Sequence, residues 1–385
     1  MKKIIYMVFL CCICTQMQAQ EYADLIRKNP AMAAANMTNY NFEDCRHTPA
    51  PKGYKAFYIS HYGRHGSRYH SNDRYAGILW PVMRKADSLN LLSEAGKTFY
   101  KDFSAVIQEQ CGMYGMLTAL GAKEQRGIAK RMASKFSEVF KGRNGRTEIF
   151  CQSSTSPRCL ISMTDFVHSF DRHTEGLNFQ FVTGEKYYDY LAYGHNPIES
   201  LRIADQKEDS LRRAVMKPLE LVDYLFVDRN RALELIGDPY DFEKILYLVS
   251  CVGHLTDYGV CLLSYFPTDI LIRNWEARNA RFYLAYGMAQ ETAEYHEETS
   301  RRLISDFISR AEIAVKENSN IAADFRFGHD TSLLPMLGHI GIKGIPYRPA
   351  FENVTSVFNS SVSICMASNL QLIFYRNKSG DVLVK

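Results

Sequence analysis

The stretch KAFYISHYGRHGSRYH, residues 55–70, decides the fold and carries the first indication of chemistry. Phe57 and Ile59 fall on one face of an alternating apolar and polar pattern, which predicts a β-strand. Gly63 and Gly66 then mark a sharp change of direction. A strand is therefore expected to run into a tight loop.

That loop places Arg64, His65 and Arg68 within a few residues of one another. Such a concentration of positive charge is costly unless an anion compensates it. Guanidinium groups offer paired donors to phosphate or carboxylate oxygens, and a histidine that is neutral near pH 7 can act as a nucleophile or a base. The residue types favour phosphoryl transfer.

Two other interpretations of this loop exist. Arg-His-Gly can be a solvated basic turn, although RHGSR directly after a strand is a more specific pattern. His61 and His65 are four residues apart, as in some metal sites, but Tyr62 stands where a zinc-protease helix needs glutamate. Adjacent arginines would also repel a cation, so no metal site is predicted.

Composition limits the class of protein. With 385 residues and 46% hydrophobic content, the chain can bury a large core in one or two domains. Its formal net charge of +4 includes Lys2 and Lys3 of the leader described next. Nucleic-acid binding usually needs a basic stripe, so it is not expected here.

The amino terminus has the pattern of an export signal. Lys2 and Lys3 precede an apolar run from Ile4 to about Cys14, which is too short to span a bilayer, and cleavage is expected near Ala19. The cysteines of this run lack the preceding small residue of a lipid-attachment motif. We therefore expect residues 1–19 to be a signal peptide and the protein to be periplasmic or secreted, with a lipid anchor disfavoured.

An odd number of cysteines remains after the leader. In an oxidising compartment some of them should pair, and Cys251 with Cys261, or Cys151 with Cys159, are plausible local disulfides. The alternative is that most are small buried apolar residues. The full set is Cys45, Cys111, Cys151, Cys159, Cys251, Cys261 and Cys365.

A second strand, loop and helix follow further along the chain. Residues 117–140 predict an amphipathic helix capped by Thr118, residues 147–151 a strand, and residues 160–170 a helix. Arg158 lies in the loop between that strand and its helix. Loops at the carboxyl ends of parallel strands meet in one crevice, so Arg158 can join the first loop, although alone it would be an ordinary surface arginine.

A third strand is expected at residues 321–327, followed by His329 and Asp330 at the start of a helix. This position suits anion binding through backbone donors. A carboxylate there would repel phosphate unless it carried a proton, which makes Asp330 a candidate general acid. The alternative is that Asp330 only caps the helix.

These elements predict an α/β fold with a mixed, mostly parallel central sheet flanked by helices and an inserted all-helical cap domain. The core is expected at residues 20–170 and 319–385, with residues 171–318 as the helical insertion forming a lid or substrate wall. Residues 20–54 read as an extended lead-in without chemistry, and the segments 361–367, 369–375 and 381–384 as strands that complete the sheet.

Taken in order, RHGSR, Arg158 and His329-Asp330 resemble the histidine acid phosphatase branch of the histidine phosphatase superfamily, which includes phytases and multiple inositol polyphosphate phosphatases. LTALGAKEQ at 117–125 resembles the Leu-Thr-x-x-Gly-x-x-Gln helix start of that family. Two positions depart from the pattern. Tyr69-His70 follows the second arginine where many members have proline, and His329-Asp330-Thr331 stands where the inositol polyphosphate branch often has His-Ala-Glu.

The resemblance implies a metal-free and cofactor-free mechanism. His65 would attack phosphorus, Arg64, Arg68, Arg158 and His329 would hold the phosphoryl oxygens, and Asp330 would protonate the leaving group and later act as a base. No metal is needed because the arginines supply the electrostatic stabilisation.

The resulting expectation is an exported phosphomonoesterase acting on a small anionic phosphoester, plausibly inositol hexakisphosphate. The alternatives are a broad-specificity acid phosphatase and a phosphoester-binding protein without turnover; a phosphomutase fits the leader and the helical block less well. Oligomeric state is left open. Cations of the helical block that are available for further phosphates are Lys186, Arg202, Arg212, Arg213, Arg273 and Arg278.

Overall fold

The computed structural model describes residues 21–42, 48–140, 146–192 and 198–385. The expected signal peptide and Cys45 lie outside these ranges. Within these ranges six strands form one sheet in the order β3-β2-β4-β1-β5-β6, in which β3, β2, β4 and β1 are parallel, β5 pairs antiparallel with β1, and β6 pairs antiparallel with β5. The strands are β1 Lys55–Arg64, β2 Glu148–Ser153, β3 Asn178–Thr183, β4 Ile321–Gly328, β5 Asn369–Arg376 and β6 Val382–Val384.

Helices flank the sheet on both faces and build a second layer. They are α1 (21–28), α2 Arg74–Ser88, α3 Glu94–Gln110, α4 Ala119–Lys135, α5 Ser137–Phe140, α6 Pro157–Asp171, α7 Tyr188–Leu191, α8 Ile198–Val215, α9 Pro218–Leu225, α10 Arg229–Ile236, α11 Pro239–Ser250, α12 Thr268–Tyr286, α13 Ala293–Ala314, α14 Asp330–His339, α15 Val354–Val357 and α16 Ser360–Ser363. Short 3₁₀ helices occupy Pro30–Met37, Glu185–Tyr187, Gly253–Leu255, Leu262–Tyr265 and Phe351–Asn353. The α/β fold with a mixed sheet is confirmed.

The register of the sheet brings the predicted loops together. Arg64, the last residue of β1, lies opposite Gly328 at the end of β4. Ser153, the last residue of β2, lies opposite Phe327 of the same strand. The loops after β1, β2 and β4 therefore leave one edge of the sheet side by side, as expected for the carboxyl ends of parallel strands.

Apolar cores on the two faces fix this register. On one face, α4 and α6 pack on the sheet through an aromatic cluster in which Phe166 contacts Phe325 and Phe327 with ring centroids 5.1 and 5.3 Å apart. On the other face, α12, α13 and α14 bury Tyr62 and Leu333. Burial of one such large side chain stabilises the fold by about 1.5–3 kcal/mol.

The prediction that residues 171–318 are all helical is wrong at one strand. Residues Asn178–Thr183 form β3, which pairs in parallel with β2 at the edge of the sheet. The segment alternates polar and apolar residues, with Phe179 and Phe181 on one face, so it carries a strand pattern that the prediction overlooked; at the edge of the sheet the side chain of Phe181 is 56% exposed.

The helical layer contains helices from the predicted core, residues 20–170, as well as helices from the predicted insertion, residues 171–318. A shared core joins α2 and α3 to α9, α11 and α12. Within the block predicted as an insertion, α13 packs instead against the sheet face and α14. Apolar periodicity shows that a helix has a buried face but does not show which layer covers that face.

Two further predictions are corrected. The supposed lead-in contains α1 and the 3₁₀ helix Pro30–Met37, capped by the side chain of Asn29, which accepts the N–H of Ala31 at 3.1 Å. Segment 361–367, predicted as a strand, instead holds the end of α16 and a loop. A run of serine and apolar residues this short is compatible with a strand or a helix, so contacts with the rest of the protein determine which one forms.

All six cysteines in the described ranges are free thiols, so neither predicted disulfide is formed. Cys151, Cys159, Cys251 and Cys365 are buried, in agreement with the alternative of small apolar side chains. In the part of the chain that the structure describes, no helix has the length and apolar character needed to cross a membrane.

Candidate active site

Arg64 is completely buried at the end of β1 and is held from several sides. Its guanidinium donates to the carbonyl oxygens of Asn36 and Ile364, the latter at 2.9 Å, and Nη2 lies 2.8 Å from Oδ2 of Asp330. A buried charge is stable only with such partners. Arg64 therefore has one fixed orientation.

The loop after Arg64 is anchored on α4. Glu124 accepts the N–H of Ser67 at 2.7 Å, the Ser67 hydroxyl at 2.8 Å and the N–H of Tyr40 at 2.9 Å. A Cβ on Gly66 would lie 2.4 Å from the carbonyl oxygen of Gly121, so this close approach requires glycine. The 117–125 motif thus holds the loop that carries His65, and Glu124 stands where the pattern that the motif resembles has glutamine, a third departure from that pattern.

His65 is buried in a defined tautomer. Its Nδ1 lies 2.8 Å from the carbonyl oxygen of Gly66, and because a carbonyl only accepts, the proton is on Nδ1. Burial, followed by the charges of Arg158, Arg64 and Arg68, holds the pKa of His65 well below its usual range. Nε2 therefore keeps its lone pair.

Arg68 and Arg158 complete a group of three guanidiniums. Arg68 donates to the Tyr69 carbonyl oxygen at 2.7 Å, and burial together with Arg158 and Arg64 lowers its pKa to about 9. The buried Nε atoms of Arg64, Arg68 and Arg158 have no hydrogen-bond partner among the described residues. Unpaired buried donors of one sign of charge are typical of an anion-binding site.

His329 faces His65 across the site, with ring centroids 5.5 Å apart. Arg158 Nη2 lies 3.4 Å from its Nδ1, so that nitrogen is the acceptor and Nε2 carries the proton toward Oγ of Ser154 at 3.2 Å. Burial, and then Arg158, lowers the pKa of His329 to about 3. The hydroxyl of Tyr62 accepts the His329 N–H at 3.0 Å and fixes the backbone.

Asp330 is the first residue of α14, but it is not a simple cap. Its Oδ2 accepts a hydrogen bond from Nδ2 of Asn36 at 2.8 Å and lies within ion-pair distance of Arg64, while Oδ1 accepts the N–H of Thr331 at 3.0 Å. Burial favours the protonated form, but Arg64, the Asn36 amide and Arg68 outweigh it and lower the pKa of Asp330. In the free protein the carboxyl is ionised.

The structure therefore brings all six predicted site residues together, and Arg158 belongs to the site instead of the open surface. It also adds two side chains that the sequence did not reveal, Asn36 and Glu124. Asn36 contacts a residue 294 positions away, and such a contact leaves no local pattern in the sequence.

A cleft of about 570 Å³ opens between this site and the helical layer. Lys244 and Arg281 in its wall are paired with carboxylates, whereas Arg68, Arg74 and Arg278 have no ion-pair partner among the described residues. Its charged lining consists of Arg68, Arg74, Lys244, Arg278, Arg281, Asp205, Glu208, Asp209 and Asp241.

Of the six cations proposed from the sequence for further phosphates, only Arg278 lines this cleft. The remaining five have other partners: Arg202 with Glu199, Arg212 with Glu208, Arg213 with Asp238, Arg273 with Glu220, and Lys186 over the ring of Tyr187. Spacing along a helix does not indicate which basic residue faces a cleft, because surface helices carry them on every exposed side.

His61 is packed in the aromatic cluster beneath α6. Its ring lies among Phe166, Phe325 and Phe327, with centroids 5.4 to 5.9 Å away, and burial lowers its pKa to about 3. In the described ranges no three His, Cys, Asp or Glu side chains are grouped so as to hold a metal ion.

Neither a family model nor a curated protein matches this sequence. Solved structures do match its fold. A Bifidobacterium longum multiple inositol polyphosphate phosphatase in complex with phosphate is 19% identical, with a TM-score of 0.72 over 92% of this chain and 91% of that one. The same phosphatase with inositol hexasulfate gives 19% and 0.69 over 89% of each chain.

The phytase from D. castellii is 14% identical, with a TM-score of 0.66 over 92% of this chain and 78% of the phytase. At identities this low, the structural similarity establishes a shared fold and nothing more. The resemblance drawn from the motifs is confirmed at that level, because the matches span almost the whole described chain.

Proposed function

We propose that this protein is an exported phosphomonoesterase that hydrolyses inositol polyphosphates through a phosphohistidine intermediate. The observation that carries the proposal is His65, held as the Nδ1–H tautomer by Gly66 within a group of three guanidiniums. A binding protein needs the cations but has no use for a neutral imidazole with a free lone pair among them.

In the first step Nε2 of His65 attacks phosphorus, forming the N–P bond while the bond to the leaving oxygen breaks. Arg64, Arg68 and Arg158 donate to the phosphoryl oxygens, whose charge must be balanced throughout the transfer. The leaving oxygen takes a proton from Asp330 and departs as an alcohol. Phosphate binding shields Asp330 from the guanidiniums that keep it ionised, so it can take up the required proton.

In the second step water attacks the phosphohistidine. Asp330, now a carboxylate, accepts a proton from the water as the new P–O bond forms and the N–P bond breaks. Orthophosphate leaves, and His65 returns to its starting form with Nε2 unprotonated.

The cleft supports a substrate with more than one phosphate. In the proposal Arg68 belongs to the reacting site, and Arg74 and Arg278 lie along the same cleft without an ion-pair contact in the described part of the chain. An inositol ring bearing several phosphates would place one at His65 and others near these cations. The folds matched by this chain include a phosphatase crystallised with inositol hexasulfate, which agrees with such a substrate.

Export is proposed from the amino-terminal pattern of Lys2, Lys3 and the apolar run that follows them. Fusion of residues 1–25 to a reporter that is active only outside the cytoplasm tests it. Replacement of Lys2 and Lys3 by glutamate should retain the reporter in the cytoplasm.

The enzymatic proposal is tested by phosphate release from inositol hexakisphosphate and 4-nitrophenyl phosphate by the wild type and His65→Ala. Release is expected from the wild type and not from the variant. The reaction with a ³²P-labelled substrate is stopped in alkaline denaturant, because phosphohistidine is labile in acid. Label should then remain on the wild-type protein and not on His65→Ala.

The two alternatives give different results. A broad-specificity acid phosphatase would hydrolyse the aryl ester at least as efficiently as the inositol ester. A phosphoester-binding protein would bind inositol hexakisphosphate without releasing phosphate or retaining label.

A further inference from the structure

We infer that Asn36 is a positioning residue for Asp330, selecting the carboxyl oxygen that exchanges a proton with the leaving group. This inference rests on the proposed function, in which Asp330 is the general acid. It assigns a role in the reaction to a segment whose sequence showed none.

Asn36 is 5% exposed and contacts both members of the Arg64–Asp330 ion pair. Its backbone carbonyl oxygen accepts from Arg64, and its side-chain Nδ2 donates to Oδ2 of Asp330 at 2.8 Å. One residue therefore fixes the orientation of the arginine and of the carboxyl at the same time.

These contacts distinguish the two oxygens of Asp330. Oδ2 accepts a hydrogen bond from Asn36 and is paired with the Arg64 cation, whose Nη2 makes no hydrogen bond among the described residues, whereas Oδ1 has only the N–H of Thr331. A proton is accommodated more easily on the oxygen that is not paired with a cation, because the charge of Arg64 favours an unprotonated Oδ2. Oδ1 is therefore the oxygen that carries the proton toward the substrate.

The backbone around Asn36 is held in an unusual conformation. Ala35 has φ 55° and ψ −131°, which a residue with a Cβ rarely adopts. Thr38 fixes the Ala35 carbonyl oxygen through its N–H and hydroxyl at 3.0 and 2.9 Å, and the Tyr247 hydroxyl donates to Ala33 at 2.6 Å. Strain that the surrounding contacts maintain is typical of functional segments.

The hydrogen bond from Asn36 favours the ionised form of Asp330, so its removal should raise the pH at which Asp330 takes up a proton. The other groups that act on this carboxyl do not change in such a variant. The ionisable groups around Asp330 are Arg64, Arg68, His329, Tyr62 and Cys159.

The first test compares two esters that differ in their need for a general acid, glycerol 2-phosphate and 4-nitrophenyl phosphate. In Asn36→Ala, kcat/KM for the alkyl ester should fall by about tenfold to a hundredfold, because a misplaced acid loses part of the 10²–10⁴ that general-acid catalysis contributes. The aryl ester, whose leaving group needs no proton, should lose less than about threefold.

Asn29→Ala is the matched control, since it removes the cap of the same 3₁₀ helix without touching Asp330. It should change both esters by the same factor. If Asn36→Ala also lowers kcat/KM for both esters by the same factor, Asn36 has only a structural role, and the inference is overturned.

The second test does not need turnover and uses inorganic sulfate, whose charge is constant from pH 4 to 8. Because a bound anion shields Asp330 from the guanidiniums, calorimetry should show tighter sulfate binding to the wild type below the pH at which Asp330 takes up a proton in the sulfate complex. This inflection should lie at higher pH in Asn36→Ala and be lost in Asp330→Asn. An inflection that stays at the same pH in Asn36→Ala contradicts the inference.

The two tests separate failure of the inference from failure of the proposed function. A wild type that binds sulfate but releases no phosphate overturns the enzymatic proposal, and the sulfate inflection then decides on Asn36 alone. Absence of sulfate binding at every pH would remove the anion site and with it the inference.

Discussion

His65 stays neutral because burial and three guanidiniums all oppose its protonation. Its pKa lies well below the usual value of about 6.5 for histidine, so the imidazole that we propose as the nucleophile stays neutral throughout the mildly acidic range. In the proposed mechanism Asp330 must carry a proton before the first step, and lower pH favours that form. The pair is suited to catalysis in acid.

We therefore expect kcat/KM for glycerol 2-phosphate, whose leaving group needs the proton of Asp330, to rise as the pH is lowered from 7 to 5, because the pKa of Asp330 in the free protein lies below that range. The value for 4-nitrophenyl phosphate, whose leaving group needs no proton, should be maintained. A pH profile of kcat/KM with 4-nitrophenyl phosphate and glycerol 2-phosphate, with folding monitored by circular dichroism, measures this. Loss of activity on acidification with an apparent pKa near 6.5 would show that His65 has an ordinary pKa and contradict the site assignment.

Arg158 supplies a charge to the site and orients His329. Arg158→Ala should reduce kcat by about 10²–10³, the usual effect of removing one donor to a transition-state oxyanion. Arg158→Lys should recover only part of this, because an ammonium cannot donate two parallel hydrogen bonds. A higher KM with unchanged kcat in the alanine variant would show that Arg158 binds the substrate in the ground state as well as in the transition state.

At the scale of elements, α4 holds the active-site loop through one buried carboxyl. Glu124→Ala leaves three donors of Ser67 and Tyr40 without an acceptor, and we expect the free energy of unfolding to fall by about 3 kcal/mol or more. Glu124→Gln keeps one acceptor oxygen and should lose less. Denaturant unfolding of both variants beside Lys123→Ala, an exposed neighbour, measures the difference.

The success of sequence reasoning also differs between elements. β1, β2 and β4 were predicted because inner strands carry continuous or alternating apolar residues, and their shared edge then located Arg64, Arg158 and His329. β3 was missed although Asn178–Thr183 alternates polar and apolar residues, because this short run stands at the start of a long block with helical periodicity. Asn36 could not be predicted because its position depends on a kink at Ala35 and on contacts with distant parts of the chain.

At the scale of the whole molecule, the cleft between sheet layer and helical layer should decide which phosphoesters are accepted. Arg278 lies in its wall without an ion-pair partner among the described residues. Arg278→Ala should raise KM for inositol hexakisphosphate by about tenfold, which corresponds to the loss of one charge contact of roughly 1.4 kcal/mol, and should leave KM for 4-nitrophenyl phosphate unchanged.

Arg213→Ala is the comparison for this variant, because Arg213 pairs with Asp238 on the exposed surface and does not line the cleft. It should leave KM unchanged for both esters. If KM for inositol hexakisphosphate is the same in the wild type and in Arg278→Ala, the phosphates of the substrate that are not at His65 do not contact Arg278.

The position of β1 in the sheet bears on how the chain is made. β1 carries the residues that lead into the loop of His65, yet both of its neighbours, β4 and β5, come from the last part of the sequence. During synthesis its apolar side chains and its backbone must wait for most of the polypeptide before they find partners, and such late pairing slows folding. A nascent chain therefore cannot assemble this site until it is nearly complete, and for the exported phosphatase proposed above this delay would keep the enzyme inactive before translocation.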